Sequence, residues 1–183
     1  MDPPLTPEAF LAWLDQLGIA HETVHHPPVF TVAESRAAAI GDRLPGLHVK
    51  NLFLKDRDGA FWLVTLREDR RVPIGAIARA VGLPRMSFAS AEELRAALGV
   101  TPGSVTPFAL VNDRARSVGL ILDRAVAEAT GRITAHPLTN TATTAVAAAD
   151  FRRFLEATGH VPRIVDLAAI EGPRVDGAAE GGG

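Results

Sequence analysis

The chain has 183 residues, 47% of them hydrophobic and 22% charged, which is enough for one globular domain with a core of its own. It contains no cysteine, and this excludes a disulfide scaffold, a thiolate metal site and a cysteine nucleophile. A formal charge of −2 and a pI near 6.3 exclude a protein that coats nucleic acid by bulk electrostatics, so any RNA contact has to be local.

The N-terminus, Met1-Asp2-Pro3-Pro4, lacks the basic and apolar regions of a signal peptide, and no stretch reaches the length of a membrane span. No membrane partner is expected, and a cytoplasmic location is the default. Thr6 can cap a first helix with Pro7 at its first position; Phe10, Leu14 and Leu17 fall on one face, Trp13 flanks it and Gly18 ends it. An extended segment, Ile19 to His25, is broken by Pro27-Pro28. Thr31 and Glu34 then have capping-box spacing, which predicts a small helix through about Ile40, stopped by Gly41.

The run from His48 to Lys55 reads as a strand in which Lys50 shares a face with Leu52 and Leu54, while Val49, Asn51 and Phe53 look the other way. Asp56-Arg57-Asp58-Gly59 supplies turn chemistry and Ala60 to Leu66 a second β-prone run, so the pair predicts a hairpin. Downstream come a helix from Pro73 to Val81, a capping box at Ser90 and Glu93 opening a helix to Leu98, and a type II turn at Thr101-Pro102-Gly103-Ser104, where glycine takes the positive φ. Phe108 to Asn112 and Val118 to Leu122 read as buried strands separated by a polar Asp113-to-Ser117 turn; Arg132 to His136 and Thr141 to Ala147 read as two more. A last amphipathic helix carries Phe151, Phe154 and Leu155 and ends at Gly159, and Ile164-Val165 can add an edge strand. From Ala168 onward glycine, alanine and glutamate dominate, which predicts a domain over 1–167 and a flexible tail over 168–183. The intermixed elements, without a βαβ repeat or a Gly-x-Gly-x-x-Gly fingerprint, predict a single mixed α/β domain built on one mixed sheet.

Among the 19 basic residues only Lys50 and Lys55 are lysines; the rest are arginines. An ammonium on an inward strand face is costly to desolvate unless something anionic or hydrogen-bonding meets it. By pattern alone, Lys50 is either a strand lysine whose stem covers apolar surface while its head reaches solvent or a carboxylate, or a cation reserved for a substrate. The Pro-Gly turn at Gly103 is an ordinary connector in most proteins, and a lone His136 before Pro137 suits a strand end. A metal site is not expected: His25 and His26 are adjacent and face opposite ways on an extended chain, and no His-Glu-x-x-His spacing occurs. The Gly-x-Ser-x-Gly elbow of serine hydrolases is missing as well.

Three separated runs, Gly46-Leu47-His48-Val49-Lys50-Asn51-Leu52-Phe53-Leu54-Lys55-Asp56, Gly103-Ser104-Val105-Thr106-Pro107-Phe108 and His136-Pro137-Leu138-Thr139-Asn140-Thr141, together resemble the YbaK/ProX family of free-standing aminoacyl-tRNA deacylases. This family is related to the editing domain of bacterial prolyl-tRNA synthetase. Within it, the likeness is to the PrdX, or ProXp-ala, branch, which clears alanine mischarged onto proline tRNA. The resemblance implies a YbaK-like fold, a curved mixed sheet approaching a barrel with helices around it. It implies hydrolysis of alanyl-tRNA(Pro) without a cofactor, with the tRNA(Pro) acceptor end as partner and prolyl-tRNA synthetase as a further one. It places Lys50 as the residue on which activity depends, holding a phosphate or ester oxygen. The Gly103 loop would then turn backbone N–H groups to the aminoacyl carbonyl, with Ser104 and Thr106 as lesser polar contacts. His136 becomes a wall or hydrogen-bond partner in the substrate pocket rather than a general base, braced by Asn140 and Thr141. The alternatives are the same reaction on a tRNA mischarged with cysteine, serine or threonine, or a tRNA- or synthetase-binding module without activity.

Overall fold

The structure, a computed structural model, describes residues 3–172. Its centre is the expected hairpin, β2 (Leu47–Asp56) with β3 (Phe61–Arg67), antiparallel with Lys50 opposite Leu66 and Leu54 opposite Trp62. Asp56 builds the turn. Its carboxylate accepts hydrogen bonds from the N–H groups of Asp58 and Ala60 and from the Trp62 indole, all within 3.0 Å, while Gly59 takes a φ of +90°. Burial works against its charge, but the Trp62 indole and the turn N–H groups outweigh that and hold the carboxyl below the usual range.

Around the hairpin the chain adds β1 (His21–His25), β4 (Met86–Phe88), β5 (Val118–Asp123), β6 (Arg132–Ala135), β7 (Ala142–Ala147) and β8 (Arg163–Val165). Among the described residues these form one mixed sheet in the order β1-β7-β6-β2-β3-β5-β8, with β4 also paired to β2. The sheet stays open, with β1 and β8 at its two ends. Pairing is antiparallel within β1-β7-β6 and in the hairpin, and parallel where β2 meets β6, β3 meets β5 and β5 meets β8.

Alternation along the hairpin feeds two cores, one on each face. Phe53 and Leu63 join the larger one with Phe10 and Leu14 of α1 (Pro7–Gln16), Leu94 and Leu98 of α5 (Ala91–Leu98), and Phe151 and Phe154 of α7 (Ala148–Thr158). Leu54, Val64 and Leu66 join the smaller one with Ile77 and Ala78 of α4 (Ile74–Ala80), Met86 of β4, and Leu167. The helix starts follow the sequence: Thr6 accepts from Ala9 N–H, and Ser90 with Glu93 closes a reciprocal capping box. Gly99 and Gly159 end α5 and α7 in the left-handed conformation.

Three expectations are corrected. The helix opened by Thr31 and Glu34, α2 (Val32–Ala37), stops before Ile40; Ala39 turns left-handed at φ +51°, and the single turn α3 (Ile40–Arg43) follows, dropping Ile40 and Leu44 into fully buried positions. Phe108 to Asn112 is no strand but part of a 3-10 turn, Pro107–Asn112, begun by Pro107 and capped by Thr106. Phe108, Ala109 and Leu110 are buried together, so the run carries no period that separates a strand from a tight helix. Finally, the chain does not leave the fold at Ala168. Leu167–Ile170 forms a 3-10 turn and Glu171 pairs with Arg70; the rest of the expected tail, 173–183, lies outside the described residues. Two short elements, β4 and α6 (Arg124–Ala127), were not expected at all.

Candidate active site

The cleft exists because β2 is longer than its neighbours. One of its edges is taken by β3. The other is shared: Leu47 and His48 pair with β6, and Leu54 to Asp56 pair with β4. Between those two neighbours, the loop carrying Gly103 meets the middle of β2, where Asn51 Nδ2 donates to the Val105 carbonyl at 3.2 Å. Asn51 Oδ1 in turn accepts from the hydroxyl of fully buried Thr65 at 2.7 Å, so the orientation of the amide is fixed by its neighbours. The result is a cleft of about 220 Å³ walled by β2 from His48 to Asn51, by Gly103 and Val105, by Thr134 to His136, by Thr143, and by the segment Val29 to Val32.

Lys50 stands in this wall. It is half-buried, on the face it shares with Leu52 and Leu54, and its Nζ donates to the carbonyl of Arg70 in the loop after β3. Lys55, on the opposite face, pairs with Glu93 at 2.6 Å and lies over the Phe61 ring. The two lysines of the chain are thus separated by the strand's own alternation.

Gly103 occupies the third place of the expected turn, closed by Ser104 N–H donating to the Thr101 carbonyl at 2.9 Å. Its φ is +87°, and a Cβ there would come within 2.7 Å of the Phe30 ring, so both backbone and space call for glycine. Phe30 itself is 67% exposed at the cleft mouth. Ser104 and Thr106 are not brought into the cleft wall. Ser104 is buried under the turn, and the Thr106 hydroxyl caps the 3-10 turn by accepting from Phe108 N–H at 3.3 Å. The Thr106 hydroxyl and the Ser104 N–H thus hold the loop itself.

His136 does line the cleft. Burial, then the neighbouring His26, lower its proton affinity to a titration at about 4, with a backbone hydrogen bond to Gly103 pulling the other way. The imidazole is therefore neutral at pH 7, and its Nδ1 is buried without a hydrogen-bond partner. His26, with its ring centroid 6.1 Å away, is held on both sides: Nδ1 donates to the Pro27 carbonyl at 2.8 Å, and Nε2 lies 2.9 Å from the Thr143 hydroxyl. Asn140 acts one step back from the cleft. Its Nδ2 donates to the Val29 carbonyl and its carbonyl accepts from Val29 N–H, tying the segment before Phe30 to the loop that follows His136. Thr141 is exposed and shares a hydrogen bond with Thr139.

Sequence reasoning singled out Lys50, Gly103 and His136, and the structure brings all three to one cleft. It missed Asn51, although Asn51 sits beside Lys50 in the same run, and it missed His26 and Thr143. The available clue was the alternation of β2: a polar Asn51 on the face of Phe53 needs a partner on the large-core side. Among the described residues no group of three or more His, Asp or Glu side chains is placed to hold a metal ion. Nor is any helix there long and apolar enough to cross a membrane.

The sequence profile of the aminoacyl-tRNA editing domain matches residues 26–154, a span that runs from His26 through all three motif runs. The chain is similar to the prolyl-tRNA synthetase associated domain-containing protein 1 of Danio rerio, 40% identical over 156 residues that cover 85% of this chain and 84% of that one. It is also similar to the prolyl-tRNA editing protein ProX of Acetoanaerobium sticklandii, 31% identical over 163 residues that cover 87% of this chain and 96% of the other. In fold it resembles a crystal structure described as a proposed trans-editing enzyme for prolyl tRNA synthetase, with a TM-score of 0.61, 22% identity, and coverage of 90% of this chain and 98% of that one. The chain belongs to the aminoacyl-tRNA editing domain family.

Proposed function

We propose that the protein is a trans-editing deacylase that hydrolyses alanyl-tRNA(Pro), releasing alanine and free tRNA. The observation that carries this reading is the convergence, in one small cleft, of a half-buried ammonium, a glycine loop and an imidazole kept neutral. In the hydrolysis, water attacks the ester carbonyl carbon, the bond to the terminal ribose oxygen breaks, and that oxygen takes up a proton. Negative charge builds on the carbonyl oxygen on the way. Lys50 is the cation available to hold it or an adjacent phosphate, and Ser104 N–H is already committed to the turn, which leaves the N–H groups of Gly103 and Val105 as the loop's donors. One such donor is typically worth about 3 to 4 kcal/mol in an acyl-transfer transition state.

His136, Ala135, Thr143 and Val29 are short or rigid walls that suit a methyl side chain better than a pyrrolidine ring. Size excludes strongly, whereas an apolar pocket rejects an added hydroxyl by only about a hundredfold. Deacylation across a panel of mischarged tRNAs tests the reading: alanyl-tRNA(Pro) should be cleaved fastest, seryl-tRNA(Pro) more slowly, and prolyl-tRNA(Pro) spared. His136→Ala should enlarge the pocket and admit bulkier aminoacyl groups. Faster cleavage of cysteinyl-tRNA(Pro) than of alanyl-tRNA(Pro) would move the protein to a cysteine-clearing activity, and no cleavage of any charged tRNA would leave a binding module.

A further inference from the structure

The acceptor that meets Lys50 belongs to a loop, and that loop is pinned by residues distant in the chain. Arg70 Nε donates to Asp123 Oδ2 at 3.1 Å and Nη1 to Glu171 Oε2 at 3.2 Å. Asp123 is fully buried at the end of β5, and only 15% of the Arg70 side chain is exposed. The other Glu171 oxygen accepts from Arg71 N–H at 3.4 Å, and Gly172 N–H donates to the Arg71 carbonyl at 2.9 Å. Leu167, fully buried in the smaller core, anchors this stretch from below. The segment from Leu167 to Gly172 therefore grips both residues of the loop whose carbonyl receives the ammonium.

We propose that this C-terminal clamp is part of the site: Glu171 and Arg70 are positioning residues that hold the Arg70 carbonyl where it fixes the Lys50 ammonium in the cleft. A lysine head on four rotatable bonds carries a large rotamer freedom, so a fixed acceptor is what turns it into an aimed charge. Asp123 is the rigid end of the clamp, since it also accepts from Ala125 N–H and Arg67 N–H. Glu171, 31% exposed, is the end that can be altered without stripping a buried charge.

The effect on catalysis rests on the deacylase reading, but the geometry can be tested apart from it. The chain has only two lysines, so the protein labelled at lysine 13Cε and 15Nζ gives one ammonium resonance for Lys50 and one for Lys55. In Glu171→Ala the Lys50 ammonium should lose its protection from solvent exchange while Lys55, paired with Glu93, stays in place and reports an intact fold. With alanyl-tRNA(Pro), kcat should fall about tenfold and KM change less than twofold, as expected for a misplaced catalytic group. Glu171→Gln, which keeps an acceptor oxygen, should restore part of both. A Lys50 resonance in Glu171→Ala that superimposes on wild type would overturn the clamp, and so would a displaced resonance with unchanged kcat. If the wild-type protein cleaved no charged tRNA, the functional reading would fail while the Lys50 resonance still decided the clamp, moved in its favour and unmoved against it.

Discussion

Strand β2 carries a half-buried or buried ionisable side chain at each end of the hairpin, and the two are satisfied in opposite ways. Asp56, at the turn, is answered entirely from its own neighbourhood, by Asp58, Ala60 and Trp62. Lys50, at the cleft, is answered by a carbonyl 20 residues away, which is in turn held through Arg70 by Asp123 and Glu171. A carboxylate that already accepts from two turn N–H groups and an indole belongs to the turn around it. The ammonium is met, at a cleft wall, by the carbonyl of a loop that residues distant in the chain hold in place. The contrast separates a charge whose surroundings are built by its own turn from one whose surroundings are built by residues far away in the chain.

The sharpest break of that contrast is Lys50→Ala. Deacylation of alanyl-tRNA(Pro) should drop by about a hundredfold or more, the range seen when one electrostatic stabiliser is removed, with the thermal unfolding temperature close to wild type. Lys55→Ala removes only a partly exposed pair with Glu93, worth about 0 to 1 kcal/mol, and should leave the rate within about twofold. Equal losses in the two variants, measured as kcat/KM, would erase the distinction between the two faces of the strand.

Asp56→Ala should do the reverse. It strands the buried Trp62 indole N–H and two turn N–H groups, which predicts a loss of about 2 to 3 kcal/mol in denaturant unfolding and a rate per folded molecule near wild type. A stable but inactive Asp56→Ala protein would show that the turn end reaches the cleft after all.

A smaller effect concerns pH. An unfolded imidazole takes a proton near 6.5, whereas His136 in the fold does so only at about 4. Between those values the unfolded chain binds the extra proton, so the stability is fully present above 6.5 and is lost as pH falls through the window to 4. At pH 5 the loss from this group amounts to about 2 kcal/mol, and His136→Gln should flatten the slope over that window. Asp113 acts in a separate window. Burial pushes its carboxyl up, but His160 and the N–H groups of Val118 and Ser117 outweigh it and hold the carboxyl at about 2, so its contribution disappears between 3.8 and 2. A slope unchanged between 6.5 and 4 in His136→Gln would show that the imidazole is not held neutral.

What was legible in the sequence was local. Thr6, Ser90 with Glu93, Gly99 and Gly159 announce helix ends because the chemistry that ends a helix lies within four residues. The turn at Asp56 and the inward placement of Lys50 follow from alternation in the same way. That Ser104 and Thr106 stand outside the cleft wall was not legible, because a motif marks a loop without telling which of its side chains line a cleft. The clamp on Arg70 was invisible, since Asp123 lies 53 and Glu171 101 residues away in the chain and no period links them. Glu171 also sits in a stretch whose composition reads as tail.

The smallest predicted effect lies midway along β2, at the amide that joins the two kinds of region. Thr65 is fully buried, and its hydroxyl is the donor that fixes Asn51 Oδ1 and so aims Nδ2 at the Val105 carbonyl in the Gly103 loop. Thr65→Val keeps the shape and β-branching but removes that donor, leaving a carbonyl oxygen of Asn51 without its partner in a part-buried setting. The expected stability loss is about 1 kcal/mol, the usual net worth of one such bond. The amide is then free to turn over, and the Gly103 loop loses part of its fixed distance from β2. On the proposed deacylase reading, in which the loop acts in the transition state rather than in binding the tRNA body, kcat should decline by about threefold while KM holds. A change confined to KM would place the Asn51 linkage in tRNA recognition, and Asn51 would then belong with the residues that grip the substrate rather than with those that shape the site.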